Sequence, residues 1–269
     1  MPPGVARLDS EGEAISRAEL VVIATPIETH EGLVARALGS RRHVLVEKPL
    51  CVTATEAYAL SASARSGAML FVGHSERFNP VIRTLARLAR GDRIVAIDLV
   101  RVGPSRPDNW GALVNLGVHD LDLAAYLGRG EVAVHGGLGA GPPGSAGGDL
   151  AHILFSTDAG AIGHLYVDRT VATRQRTIRL VTSRWVYEGD LLAQRLARTP
   201  AAGGARTEVP LPLEEPLAAQ ATALADALDG GAIREIATGA DGARAVALVE
   251  SAMASCADRA EKLSLASGP

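Results

Sequence analysis

The chain has 269 residues, a formal net charge of −3 and 47% hydrophobic residues. That length holds one large or two ordinary domains with real cores, and the slightly acidic balance gives no electrostatic case for nucleic acid or an anionic membrane. No apolar run approaches the ~18 residues that span a bilayer. The first twenty residues carry neither the basic start nor the apolar core of a secretory signal. Cys51 and Cys256 are isolated, without ligand or redox spacing, so the expected localisation is cytoplasmic.

In chain order, LVVIATP at 20–26 predicts a buried parallel strand ending in Thr25-Pro26. A helix follows through Leu33, Val34, Ala37 and Leu38, with Thr29 as N-cap. HVLVEKP at 43–49 is a second apolar strand with two charged residues and a proline at its end. A helix over 53–66 opens on Thr53 and Glu56, which have the spacing of a capping box, and Gly67 stops it. A third strand over 69–73 runs into HSERFNP, and a helix covers about 80–89. Strand, helix, strand, helix, strand at this spacing predicts βαβ units and a parallel sheet.

From Arg93 onward the pattern is that of half-exposed antiparallel strands, at 93–102, 131–138, 149–156, 160–168 and 176–187, with one helix at about 115–127. The glycine-rich stretch 136–148 imitates a phosphate loop, but Pro142 and Pro143 interrupt it and a strand follows, so it reads as a flexible hairpin connection. Two alanine- and leucine-rich helices, at 216–229 and 240–260, close the chain as packing elements.

The strand end at 47–49 is the first candidate for chemistry, because ligands of open parallel sheets bind outside the carboxyl ends of the strands. Pro49 biases Lys48 toward an extended exit from the strand. Of the 27 basic residues only Lys48 and Lys262 are lysines. A lysine kept here suggests a group that must be able to release its proton, which arginine does not do. The structural alternative is a strand-end ion pair between Lys48 and Glu47.

ATPIETH, VLVEKPL, VGHSERFNP and GVHDLDLAAYLG, in this order and spacing, resemble the Gfo/Idh/MocA oxidoreductases, relatives of glucose–fructose oxidoreductase and inositol dehydrogenase. The closing EPLAAQ and TGADGARAVALVESA resemble the family's last helices, so the resemblance covers nearly the whole chain. It implies a nicotinamide-binding α/β domain, placed at 1–91, and a substrate-binding and oligomerisation α+β domain with an open, mostly antiparallel sheet, at 92–269. It also implies NAD or NADP as cofactor, a small-molecule sugar or nucleotide-sugar substrate, and a homodimer or homotetramer. The combination RFNP, RVGP and HDLDL looks most like the branch that oxidises UDP-N-acetylglucosamine at the 3-position.

By the same resemblance, Lys48 is the lysine of the Glu-Lys-Pro motif, touching cofactor and substrate, and Glu47 is the motif's acid. Thr25, Pro26 and His30 match the loop beside the nicotinamide ribose. His119 matches the catalytic histidine, while Glu76 and Asn115 are assigned to the substrate side. A histidine near its ordinary pKa of ~6.5 is suited to take a hydroxyl proton as hydride leaves the carbon.

Two positions depart from the family. Where many members carry an aspartate four residues before the histidine, this chain has Asn115, which can hydrogen-bond a hydroxyl but cannot take its proton. Asp122 reads as a helix-face carboxylate beside the histidine or in solvent. One histidine and one aspartate make no metal ligand set, so no metal is expected. The family also opens with a strand, a Gly-x-Gly-x-x-Gly turn and a second strand. The resemblance starts after them, near the third strand, so the expectation is a doubly wound sheet without its first βαβ unit and with an unpaired edge at 20–24. The function expected is an NAD(P)-dependent oxidoreductase acting on a secondary alcohol of a sugar, nucleotide sugar or cyclitol. The alternative is a non-catalytic sugar-sensing or assembly relative.

Overall fold

The computed structural model describes residues 5–64, 67–104, 110–141 and 148–266, with side chains through 257. These residues form two compact units, the first ending at Gly73 and including Ala237–Val246, the second comprising His74–Ile236 and the remainder of the chain.

The first unit opens with a helix that the sequence pattern did not reveal, α1 (Glu11–Arg17), capped by the Ser10 hydroxyl, which accepts from the Glu13 N–H. Then come β1 (Leu20–Ile23), a short 3-10 turn (Ile27–Thr29), α2 (His30–Gly39), β2 (His43–Val46), α3 (Ala54–Ser63) and β3 (Leu70–Val72). β1, β2 and β3 are parallel, with Leu20 opposite His43 and Val44 opposite Leu70. Val34, Ala37, Val44, Val46, Ala57 and Val72 are fully buried and make the core the apolar runs demand. β1 stops at Ile23, earlier than expected, because the chain turns at Pro26.

Thr29 occupies the N-cap position of α2, but its hydroxyl donates to the Pro26 carbonyl instead of capping the helix. Thr53 does cap α3: its hydroxyl accepts from the Glu56 N–H at 3.3 Å while the Glu56 carboxylate accepts from the Thr53 N–H at 3.1 Å. β1 is an edge strand of its four-stranded sheet, and Val22 on it is 60% exposed.

The second unit begins with a 3-10 turn (Ser75–Phe78) and α4 (Pro80–Leu88), whose Asn79 cap accepts from the Val81 N–H. Val81, Ile82 and Leu85 of α4 are fully buried. Val81 lies so close to Gly189 that a Cβ there would sit 2.6 Å from it. This packing places α4 in the second compact unit, which begins at His74.

β4 (Ile94–Val102), a π-helical turn (Leu113–Gly117), α5 (Val118–Gly128), β5 (Val132–Ala140), β6 (Leu150–Thr157) and β7 (Ile162–Asp168) follow. β5 and β6 are an antiparallel pair, the hairpin expected for the glycine-rich stretch, whose residues 142–147 lie outside the described residues. The strand expected over 176–187 is two, β8 (Gln175–Thr182) and β9 (Trp185–Asp190). They are divided where the Thr182 hydroxyl accepts from the N–H groups of Arg184 and Trp185 and folds the chain back. β10 (Arg195–Pro200) and β11 (Thr207–Glu208) add strands that the sequence reading missed.

The eight strands run in the order β11-β10-β9-β8-β4-β7-β6-β5. All the pairs are antiparallel except β4 with β7, which is parallel, so the sheet is mostly antiparallel as expected. Ile97, Leu99, Ile153, Leu165, Ile178 and Leu180 are buried on one face, whereas Leu154 and Ile162 stand 58% and 66% exposed. Gly163 is required by the ring of Phe155, which a Cβ at that position would approach to 2.1 Å. Gly163→Ala is expected to cost about 1–3 kcal/mol, measured as a lower midpoint in urea with an unchanged slope.

α6 (Pro216–Leu228) completes this unit, and the chain then returns to the first one. β12 (Ala237–Thr238) pairs antiparallel with β3, and the first residues of α7 (Gly239–Ala266) follow it into the same core. Among the described residues no helix is long and apolar enough to cross a membrane.

Candidate active site

In the first unit three parallel strands end side by side, so the segments leaving β1, β2 and β3 share one end of the sheet. That end carries Thr25-Pro26, Glu47-Lys48-Pro49 and Gly73. Glu47 is exposed, Lys48 half-buried, and the Lys48–Pro49 peptide bond is cis. Gly73 was not singled out by the sequence reading, yet a Cβ on it would lie 3.0 Å from the Glu47 carboxylate. The glycine therefore lets that carboxylate lie across the end of β3.

Thr29 commits its hydroxyl proton to Pro26, so in the 2.7 Å contact between the two threonine hydroxyls Thr25 is the donor. The remaining lone pairs of Thr25, on an exposed residue, can accept. His30, expected in the loop beside the nicotinamide ribose, is 1% exposed, with its ring nitrogens 2.9 Å from the carbonyl oxygens of Thr25 and Pro49. It braces the loops after β1 and β2 against each other.

In the second unit α5 is buried along most of its length. Just before and within its first turn, Asn115, Leu116 and His119 are half-buried. Asn115 lies within the π-helical turn that leads into His119, a feature that local propensity did not announce and that recurs at functional sites.

The two aspartates after His119 point into ion pairs. Arg101 of β4 forks onto Asp120, with Nε to Oδ2 at 2.6 Å and Nη2 to Oδ1 at 3.2 Å. Arg77 of the 3-10 turn forks onto Asp122, with Nε to Oδ2 at 2.8 Å and Nη2 to Oδ1 at 2.5 Å. Asp122 is 2% exposed, so of its two readings, beside the histidine or in solvent, the solvent-facing one does not hold. Its Oδ2 also lies 3.7 Å from Nδ1 of the buried His74, whose ring stands edge-on to His119 at 6.3 Å.

Glu76, assigned to the substrate side, is 8% exposed, and its Oε1 accepts from Arg101 at 2.9 Å and Arg176 at 2.8 Å. It orders the arginines rather than offering an open carboxylate. Burial pushes its carboxyl up, but Arg101 and Arg176 outweigh burial and hold it below the ordinary glutamate range. Asp120 goes the other way, because complete burial outweighs Arg101 and holds its carboxyl above the usual range.

The fold is thus a parallel, Rossmann-type α/β unit joined in sequence to an α+β unit with a large open sheet. The oxidoreductase family with an NAD-binding Rossmann fold, Gfo/Idh/MocA, matches residues 5–74, and the family's C-terminal domain matches residues 99–188. This chain belongs to the Gfo/Idh/MocA family, as its four motifs led one to expect.

UDP-N-acetylglucosamine 3-dehydrogenase of Acidithiobacillus ferrooxidans is 28% identical over 66% of this chain and 55% of that protein. Inositol 2-dehydrogenase of Rhizobium meliloti is 29% identical over 43% of this chain and 38% of that one. The solved structure of the Acidithiobacillus enzyme superposes with a TM-score of 0.84 at 24% identity, covering 92% of this chain and 82% of its own, which establishes the shared fold. The chain spans between about a third and about half of the length of the curated relatives it matches.

Proposed function

We propose that this protein is an NAD(P)-dependent dehydrogenase acting on a secondary alcohol of a sugar, nucleotide sugar or cyclitol, with UDP-N-acetylglucosamine as the favoured substrate. The observation that carries this reading is the set of parallel strand ends presenting Thr25, Glu47 and Lys48 in a unit that matches the family's NAD-binding domain. This set fits the nicotinamide half of a dinucleotide. Thr25 offers an acceptor, Glu47 a carboxylate for ribose hydroxyls, and Lys48 an ammonium, while His30 keeps the loops that bear them in place. When bound, the nicotinamide supplies the acceptor for hydride.

The protein residues then handle the proton. Lys48 donates to the substrate oxygen and stabilises negative charge as it develops there. The His119 imidazole accepts the hydroxyl proton as the C–H bond breaks. Asn115 orients a substrate hydroxyl through its amide and leaves proton transfer to His119. Glu76 acts behind these groups by fixing Arg101 and Arg176. The open face of the eight-stranded sheet, with exposed Leu154 and Ile162, supports a homodimer or homotetramer.

Lys48→Arg tests the assignment. The substitution keeps the charge but replaces a compact ammonium able to share its proton by a planar group that cannot. Turnover with either dinucleotide is expected to fall at least about a hundredfold with an unchanged circular dichroism spectrum. Unchanged kcat would return Lys48 to a strand-end ion pair.

A further inference from the structure

A second polar cleft lies within the second unit, between α4, the C-terminal half of α5 and the segments around Pro212–Glu214 and Arg234–Glu235. Its volume is about 630 Å³, and Arg83, Arg87, Arg90, Tyr126 and Arg234 line it together with Glu214 and Glu235. Positions 83, 87 and 90 recur at helical spacing, so α4 and the turn after it turn one arginine face toward this cleft.

The four arginines are not equivalent. Arg83 is half-buried and bonded to both Glu214 and Glu235, the latter at 3.1 Å, so it ties two loop segments to α4 and accounts for both carboxylates of the lining. Arg87, Arg90 and Arg234 are exposed and have no carboxylate partner among the described residues. The chain otherwise matches arginines to acids repeatedly, as at Arg77, Arg101, Arg169, Arg179 and Arg206. Three unmatched guanidinia converging on one concavity, in a chain of net charge −3, therefore form a local excess of positive charge. Tyr126 adds a phenol at the wall, kept protonated because burial and the neighbouring Glu235 push its pKa up.

We propose that this cleft is a binding site for a diphosphate-bearing small molecule, held by Arg87, Arg90 and Arg234 with Tyr126 as a further donor. Guanidinium forks match phosphate oxygens two at a time, and adjacent phosphates use three such forks where a single carboxylate would not. None of the residues assigned to hydride transfer lines it, and the proposal does not depend on that assignment.

Calorimetric titration of the protein with inorganic pyrophosphate tests it, alongside the double variant Arg87→Ala/Arg90→Ala. Both side chains are exposed, so the variant is expected to fold normally. The wild type is expected to bind one pyrophosphate saturably, more weakly as salt is raised, and the variant at least about tenfold less tightly, since two of its three guanidinium forks are gone. UDP as a second probe separates the sources: an equal Kd means that only the phosphates are read, and a tighter one that the nucleoside adds contacts. Absence of saturable pyrophosphate binding at millimolar concentration, or equal affinity in the folded double variant, overturns the proposal.

Discussion

His119→Ala is expected to lower kcat by about a hundred- to ten-thousandfold, the range general-base removal produces, while leaving the fold intact. The side chain is half-buried on a helix whose stability comes from other positions, chiefly Leu121, Leu123 and Ala124, all fully buried. The variant should also lose the acidic limb of the kcat/KM profile, because no carboxylate stands at position 115 to inherit the proton. Asn115→Asp in the His119→Ala background is the complementary measurement: a new base one turn away should restore part of the rate. An acidic limb that survives His119→Ala would assign it to another group.

Arg101→Leu is expected to destabilise the protein by about 3–5 kcal/mol, since it leaves Asp120 and Glu76 buried with one partner fewer. At about 2–4 °C per kcal/mol for a unit of this size, the midpoint should drop by roughly 10 °C. The loss should depend on pH in a definite direction. Asp120 already binds its proton more tightly folded than unfolded, and without Arg101 only the weaker pull of Arg176 opposes burial. A carboxyl raised in this way favours the folded state below its unfolded pKa, and that contribution disappears as pH rises through the folded value. Glu76 has the opposite sign: its lowered pKa stabilises the fold above the unfolded value and is lost as pH falls through the folded one. Arg101 is also the larger of the two arginine influences on Glu76, so in the variant the Glu76 carboxyl moves up as well and changes the pH dependence in the same direction as Asp120. The variant should therefore recover stability relative to wild type as pH is lowered from 7 toward 5. A destabilisation independent of pH over that window would show that these two carboxyls are not the groups left exposed to the loss.

These arginines mark the limit of what the chain discloses before it is folded. Local signals were legible where one segment satisfies itself: the Thr53–Glu56 box formed as its spacing requires, and the three apolar runs became parallel strands. The motif HDLDL could be placed on a helix, but not the destination of its acids. Arg77 meets Asp122 from 45 positions away and Arg101 meets Asp120 from 19, and helical spacing carries no information about such partners. The stretches RFNP, RVGP and HDLDL, read in combination as the mark of a branch, are joined by buried ion pairs, Arg77 with Asp122 and Arg101 with Asp120. For the same reason β12 was invisible: two residues gain strand form only by pairing with β3, far earlier in the chain. His30 is a further case, a polar residue of the loop whose ring faces two carbonyls, one of them 19 positions away.

In the proposed reaction a hydride passes from a secondary alcohol of the sugar to a nicotinamide while Lys48 and His119 handle the proton. Mass spectrometry of the dinucleotide after incubation with UDP-N-acetylglucosamine deuterated at carbon 3 tests it most directly. Deuterium is expected on the reduced nicotinamide, in amounts that fall sharply in Lys48→Arg and His119→Ala. Deuterium transfer at the wild-type rate in both variants would contradict it.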